Sequence, residues 1–433
     1  MIQSLADTLF KYLVIEVLLL SGVVLTMRTG FVQVRRFAEA WRVAFVRRAA
    51  GTTGVLTPFQ AFMTALSASI GTGNIAGVAT AIVSGGPGAL FWIWVYGFVA
   101  MAIKFAEATL GLSFRDVQGT TVLSGPMYYL RDGLKSPALA WTFACVAAVA
   151  ALTTTPFTQP NSIALVVNSV FGIPKVAIGV IVAVLTWLVI IGGIKSIGRA
   201  AEKLSPLKVG LYLVGGLIVI VFNAGRIPGV FALVFREALS PRSALGFGLF
   251  IAMRYGIARG IYANEAGYGT AAVAYGTAQS SQPVQQGLNA IIEVFTVSFV
   301  TSTISALTIL LTGVWQTGVT SSAAVAAGFN AVMPTVGGWI VAFCVFLFGY
   351  TTLIGWAYYG EQFFEYILGR RVTMPYRWIY CLLIPFGAIT KVEVVWAWGD
   401  LMNALQVFPN LIGVIGLSGI VAKIAREQLT TNR

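Results

Sequence analysis

The stretch Ala65–Phe91, ALSASIGTGNIAGVATAIVSGGPGALF, decides the fold. It is long and apolar enough to cross a bilayer, yet its middle reads Gly71-Thr72-Gly73-Asn74. A glycine inside a helix costs roughly 1 kcal/mol against alanine. In hydrocarbon, freed backbone groups must find partners, so a break is tolerated only beside protein or a water-filled cavity. Discontinuous helices of this kind hold substrates and ions near the bilayer midplane in secondary transporters. The plainer alternative is that Gly71, Gly73 and Gly77 only let helices pack closely. A phosphate loop is excluded, because no Gly-Lys-Ser/Thr follows.

The rest of the chain agrees with a membrane location. Of 433 residues 58% are hydrophobic and 10% charged, against about 25% charged in soluble domains; the mean hydropathy is +0.84. The net charge of +13 comes from short loops, which points to orientation by the positive-inside rule and not to nucleic-acid binding. Cys145, Cys344 and Cys381 lack metal or disulfide spacing and read as packing residues. With no histidine, imidazole-zinc sites, Ser-His-Asp triads and imidazole proton relays are excluded, and no convergent acidic cluster suggests an enzyme. The apolar run Tyr12–Met27 lacks a basic leader and cleavage site and reads as a helix.

Hydrophobic segments fall near 10–27, 55–83, 88–114, 136–156, 174–193, 206–222, 244–274, 286–315, 336–366, 377–390 and 394–422, giving an all-α polytopic protein of about 11 transmembrane helices. Arg28, Arg35, Arg36, Arg42, Arg47 and Arg48 predict a cytoplasmic first loop and an N-terminus outside. Lys195, Arg199, Lys203 and Lys208, then Arg370, Arg371 and Arg377, and the tail with Lys423, Arg426 and Arg433 all fall inside, whereas Arg226, Arg236 and Arg242 fit poorly. A second break is expected at Arg254–Gly260, five helices after the first and so in the opposite direction. The chain then reads as one transporter domain: an extra N-terminal helix and basic loop in 1–50, a first repeat over 55–222 and an inverted second repeat over 244–425.

Several residues carry candidate chemistry. The unwound GTGN backbone offers amides to a carboxylate and carbonyls to a cation, and Asn74 adds a side-chain amide. Thr351 and Thr352 supply hydroxyl oxygens suited to a sodium ion bridging to Gly71, and Trp356 shares a helical face with Thr352. Back-bonded threonines beside a space-filling tryptophan are the bland alternative. The run TTTPFTQPNS, Thr153–Ser162, is a polar wall or an exit loop. Lys104 and Glu107, three apart, are expected to pair with each other as a gating or structural ion pair. Glu265 and Glu293 read as structural or gating groups and not as ligands, with Arg254 and Arg259 as partners for acids or as snorkelling side chains.

These motifs carry a resemblance. GTGNIAGVATAI (71–82), GGPGALFWIWVYGFVAMAIKFAEATLG (85–111), GPMYYL (125–130), ARGIYANEAGYGT (258–270), PVQQGL (283–288), FGYTTLIGWAYYGEQ (348–362) and VWAWGDLMNALQVFPNLIGVIGLSG (395–419) are similar to the alanine/glycine:cation symporter family of the amino acid–polyamine–cation superfamily. The resemblance implies a leucine-transporter-like 5+5 inverted repeat with two discontinuous helices, preceded by one extra helix. It implies an inner-membrane symporter of small neutral amino acids driven by sodium or protons. Gly71, Thr72, Gly73 and Asn74 then resemble the unwound substrate helix, and Trp356 and Thr352 match the facing helix. Met253 and Ile257 lie where apolar side chains line the pocket, and the polar contact of the fourth helix is carried to Gln159. The chain departs from the family where TTTPFTQPNS replaces a glycine-containing sequence, and where AAVAY follows NEAGYGT.

The expected function is sodium-coupled symport of alanine or glycine by alternating access, with no organic cofactor and sodium as coupling ion. Its partners are the amino acid, sodium and the bilayer, with no nucleic acid; monomer and homo-oligomer both stay open. A proton-coupled symporter and a non-transporting sensor or scaffold are the alternatives.

Overall fold

A capping box starts the first broken helix: the Gln60 amide donates to Thr57 Oγ1 (3.1 Å), the Thr57 amide donates to Gln60 Oε1 (3.2 Å), and Pro58 takes the first helical position. The computed structural model describes residues 8–9, 13–45, 53–119, 121–239 and 248–431. Arg47, Arg48, Arg242 and Arg433 lie outside the described residues. In chain order the main elements are α1 (Ile15–Arg28), α2 (Pro58–Ser69), α3 (Ala76–Gly85), α4 (Ala89–Ser113), α5 (Pro137–Thr153), α6 (Thr155–Phe171), α7 (Lys175–Ile190) and α8 (Gly193–Phe222). They continue with α9 (Gly248–Asn264), α10 (Thr270–Gly276), α11 (Pro283–Phe295), α12 (Ser302–Leu311), α13 (Val336–Leu368), α14 (Thr373–Ile389), α15 (Val392–Gly416) and α16 (Ser418–Thr431). A two-stranded hairpin, Asp116–Gln118 with Thr121–Leu123, sits between α4 and α5.

Among the described residues six helical stretches are long and apolar enough to cross a membrane unaided: α4, α5–α6, α8, α11–α12, α13 and the stretch ending in α14. Two bent pairs qualify together, α2 with Thr72–Gly85 at 58° and α15 with α16 at 55°. The shorter α1, α7 and α9 fall on the remaining expected segments. The lipid-facing side of this bundle is apolar, with Leu188, Val221 and Phe222 exposed, as a hydrocarbon solvent requires.

The core around the first break is formed by α13, which packs against α2, α5, α6 and α8. On the other side α4 carries α9, α10 and α11, and α3 lies against α9. One sequence expectation is corrected here and one open alternative is decided. The second break is not at Arg254–Gly260, because α9 runs without interruption to Asn264. Gly256 and Gly260 serve close packing instead: a Cβ on Gly256 would meet the Ala89 carbonyl and stand 2.8 Å from Trp92 Cβ, and one on Gly260 would stand 3.0 Å from the Tyr96 ring. The chain breaks five residues later, where Glu265, Gly267 and Gly269 have φ of 57°, 94° and 79°. The open alternative at Thr153–Ser162, polar wall or exit loop, is decided against the loop. Helix resumes at Thr155 with Pro156 in its first turn and runs to Phe171.

Candidate functional site

The first break is held open from both sides. Gly71 is extended (φ −109°, ψ −166°) and leads into a single 3-10 turn, Thr72–Asn74. A Cβ on Gly71 would stand 2.7 Å from Thr352 Oγ1, and one on Gly73 2.7 Å from the Tyr262 ring. The missing side chains therefore let α13 and the end of α9 reach the main chain. Asn74 turns inward: its Nδ2 donates to the Ser69 carbonyl (3.1 Å), and its own carbonyl accepts from Ser305 Oγ (2.6 Å). It satisfies backbone groups that the break would otherwise orphan.

Beside the break lies a small internal cavity with about 20 Å³ of room for the centres of water-sized molecules. Ser69, Gly71 and Gly73 line it from the break, Thr154, Thr155 and Gln159 from the α5–α6 junction, and Thr352 and Trp356 from α13. Tyr262, Glu265 and Tyr268 line it from the second break, and Asn403 from α15. The cavity thus has an amide side and an acidic side. On the amide side the Thr72 N–H, at the start of the second half-helix, donates to Gln159 Oε1 (3.1 Å). On the acidic side Glu265 Oε1 accepts from Trp356 Nε1 (2.6 Å) and Oε2 from Thr270 Oγ1 (2.9 Å). Tyr268 presents a buried hydroxyl with no protein partner.

The structure brings Gly71, Gly73, Gln159, Thr352 and Trp356 to one cavity. Thr72 is not in its lining but is tied to it, its amide donating to Gln159, while its buried hydroxyl has no partner. Asn74, Met253 and Ile257 are not in its lining; Ile257 is fully buried and Met253 packs against the core. Thr352 Oγ1 donates to the Ala68 (3.0 Å) and Ser67 (3.2 Å) carbonyls, strapping α13 to α2.

Thr351 does not face an open cation site. Its hydroxyl receives the Lys208 ammonium at 2.5 Å, and that ammonium also donates to the carbonyls of Ile70 (2.6 Å) and Ser67 (3.1 Å). Lys208 lies fully buried in α8, within the expected 206–222 segment, although the positive-inside reading counts it with the cytoplasmic basic residues. Lys104 and Glu107 do not bond to each other either. Lys104 pairs with Glu293, whose carboxylate also accepts from Ser69 Oγ (2.7 Å) and the Tyr275 hydroxyl (2.8 Å). Glu107 Oε1 accepts from the amides of Gly267 (3.0 Å) and Gly269 (3.1 Å) and from Asn410 Nδ2 (2.7 Å), so it caps the second break. Arg259 pairs with Asp400 (2.7 Å).

Sequence reasoning missed Tyr262, Tyr268 and Asn403, and it set Glu265 aside as structural. For Glu265 the signal was present: an acid inside an apolar segment is a site candidate by default. The aromatic residues carried no such signal, because tyrosines at helical spacing more often fill a core.

Known proteins match this architecture. The model of the sodium:alanine symporter family matches residues 1–432. The sodium/alanine symporter AgcS of Methanococcus maripaludis is 38% identical over 432 residues, covering 96% of this chain and 95% of the relative. The probable sodium/glutamine symporter GlnT of Bacillus subtilis is 35% identical over 419 residues, covering 96% and 87%. Among solved structures, MhsT in complex with L-phenylalanine superposes with a TM-score of 0.60 at 13% identity, covering 88% of this chain and 99% of that one. A Na+-coupled sialic acid symporter gives 0.51 at 13% identity, covering 97% and 85%. These two share the leucine-transporter-like fold with the chain. With its apolar spans and paired breaks, the protein is a multi-pass membrane transporter and not an enzyme, and it belongs to the sodium:alanine symporter family.

Proposed function

We propose that the protein is a secondary symporter that carries alanine or glycine, coupled to sodium, across the cytoplasmic membrane, with its N-terminus outside and its C-terminus inside. The observation that carries this reading is the small cavity between the two breaks, lined by Gln159, whose Oε1 holds the Thr72 amide, and across from it by the Glu265 carboxylate. An amino-acid zwitterion matches that polarity. Its carboxylate takes the Thr72 amide from Gln159 Oε1, at the positive end of the second half-helix. Its ammonium group faces Glu265, and the free Tyr268 hydroxyl lies within the same lining. Trp356, pinned by its bond to Glu265, limits the side chain to a hydrogen or a methyl group. Alternating access then rocks the elements around this fixed site, and ion and substrate must each improve the other's binding by the same factor.

A second reading keeps the substrate and replaces sodium with protons. It is favoured by one observation, the Lys208 ammonium at Thr351, where a sodium ion was expected. Uptake of radiolabelled alanine and glycine into proteoliposomes, with sodium and pH gradients imposed separately, distinguishes the two. Accumulation driven by sodium alone supports the first reading, and accumulation driven by the pH gradient alone the second. Absence of uptake under both, with folded protein, removes symport of these substrates and favours a sensor or scaffold.

A further inference from the structure

The break ends its first half-helix with carbonyl oxygens, and a helix C-terminus attracts positive charge. Two of these carbonyls, Ser67 and Ile70, and the hydroxyl of Thr351 converge on one point between α2 and α13. Main-chain carbonyls and a hydroxyl are the oxygen donors that suit a hard cation. The point is nevertheless taken. The Lys208 side chain enters from α8, its nitrogen stands 2.5, 2.6 and 3.1 Å from the three oxygens, and the Phe348 ring lies 5.4 Å from it. An ammonium group has three protons and here has three oxygen acceptors, so its donor capacity is filled without water.

We propose that Lys208 is a resident, tethered cation that fills the oxygen-lined site between the broken helix and α13 and keeps sodium out of it. The residues around Thr351 thus do not fit a coupling sodium while Lys208 is present. A diffusible ion at this point would bind and leave in each transport cycle, whereas the lysine nitrogen stays tethered beside the same carbonyls. Any sodium that drives transport binds elsewhere, and removing the lysine side chain opens a site for a small monovalent cation. The inference bears on the coupling step of the proposed symport and rests on that reading only for its relevance to transport. The occupancy of the site is measurable without any substrate.

The test uses the purified full-length chain, melted in sodium chloride or in N-methylglucamine chloride at equal ionic strength. Thr351→Val keeps shape and removes the hydroxyl; it should leave the wild-type sodium response, or lack of response, unchanged within about twofold. Lys208→Ala should gain a sodium-dependent rise in Tm on the order of a few degrees beyond any that wild type shows. Adding Thr351→Val to Lys208→Ala should abolish that gain. A wild-type sodium response weakened tenfold or more by Thr351→Val overturns the proposal, because Thr351 would then be a sodium ligand beside the lysine. Folded Lys208→Ala with no added sodium response overturns it as well. If Lys208→Ala does not fold, the Thr351→Val comparison decides alone. Proteoliposomes that take up neither alanine nor glycine would remove the proposed function and leave this melting result standing.

Discussion

At Glu265, one buried carboxylate holds Trp356 through one oxygen and Thr270 through the other, and it faces the cavity from the second break. Glu265→Gln keeps the size and removes the charge. If the substrate ammonium sits there, one charge-assisted hydrogen bond of about 1.5–3 kcal/mol is weakened, which corresponds to a rise in KM of roughly 10–100-fold. Alanine uptake kinetics check this, and an unchanged KM removes Glu265 from the substrate site. Trp356→Ala tests the size limit: leucine should not compete with alanine uptake by wild type and should compete with uptake by this variant. Failure of leucine to compete means that another wall sets the limit. The sequence exposed part of this constellation, because Gly71, Gly73 and Trp356 stand in segments whose composition already departs from a plain anchor. It hid the role of Lys208, which follows Pro206 at the end of a basic run and counts as one more charge for the positive-inside rule. Only contact with Thr351, 143 positions away, reveals what it holds.

At the scale of elements, the breaks and the glycines that signal them separate. In the first break Gly71 and Gly73 coincide with the interruption. In the second, Gly256 and Gly260 give the same signal but are close-packing positions on α4, and the chain opens only at Glu265–Gly269. Sequence spacing does not distinguish the two uses, since both need the absence of a side chain; at the second break a positive φ does. Gly269 has φ +79°, and a Cβ there would overlap Pro126 Cγ. Gly269→Ala is therefore expected to cost about 1–3 kcal/mol from backbone strain alone, with the overlap adding to it. Gly260→Ala, in regular helix with 3.0 Å to a single ring atom, should cost less. Melting of the two purified variants orders them, and the reverse order would contradict this assignment of the break. The same logic explains the α5–α6 junction, where Pro156 and Pro160 suggested a loop. Pro156 occupies a first-turn position that needs no amide hydrogen, and Asn161 Nδ2 donates to the Thr390 carbonyl (2.7 Å), tying this helix to the end of α14.

Across the whole molecule, α4 joins the two breaks. Its Glu107 caps the second through the Gly267 and Gly269 amides, and its Lys104 meets Glu293, which also receives Ser69 at the end of the first half-helix. Tyr275 from α10 completes the acceptor side of that carboxylate. Six elements, α2, α4, the second break, α10, α11 and α15, are thus tied by two acids deep in the bundle. Rocking around a fixed site requires that some of these ties hold while others change. Breaking a buried ion pair by removing one partner costs about 3–5 kcal/mol, because the remaining charge is uncompensated, whereas replacing both is much milder. Lys104→Met alone leaves the Glu293 charge with only neutral donors, and Glu293→Gln alone leaves the ammonium facing an amide. Each single variant should therefore melt well below wild type. The double variant should recover much of the loss, since glutamine still accepts from Ser69 or Tyr275 and methionine fills the lysine channel. Melting curves of the four proteins close this double-mutant cycle. Additive losses would mean that the pair contributes nothing as a pair and that α4 is held by packing and by Glu107. A recovered but transport-inactive double variant would instead place the pair in the moving part of the cycle, since stability and turnover would then have separated at the same two residues.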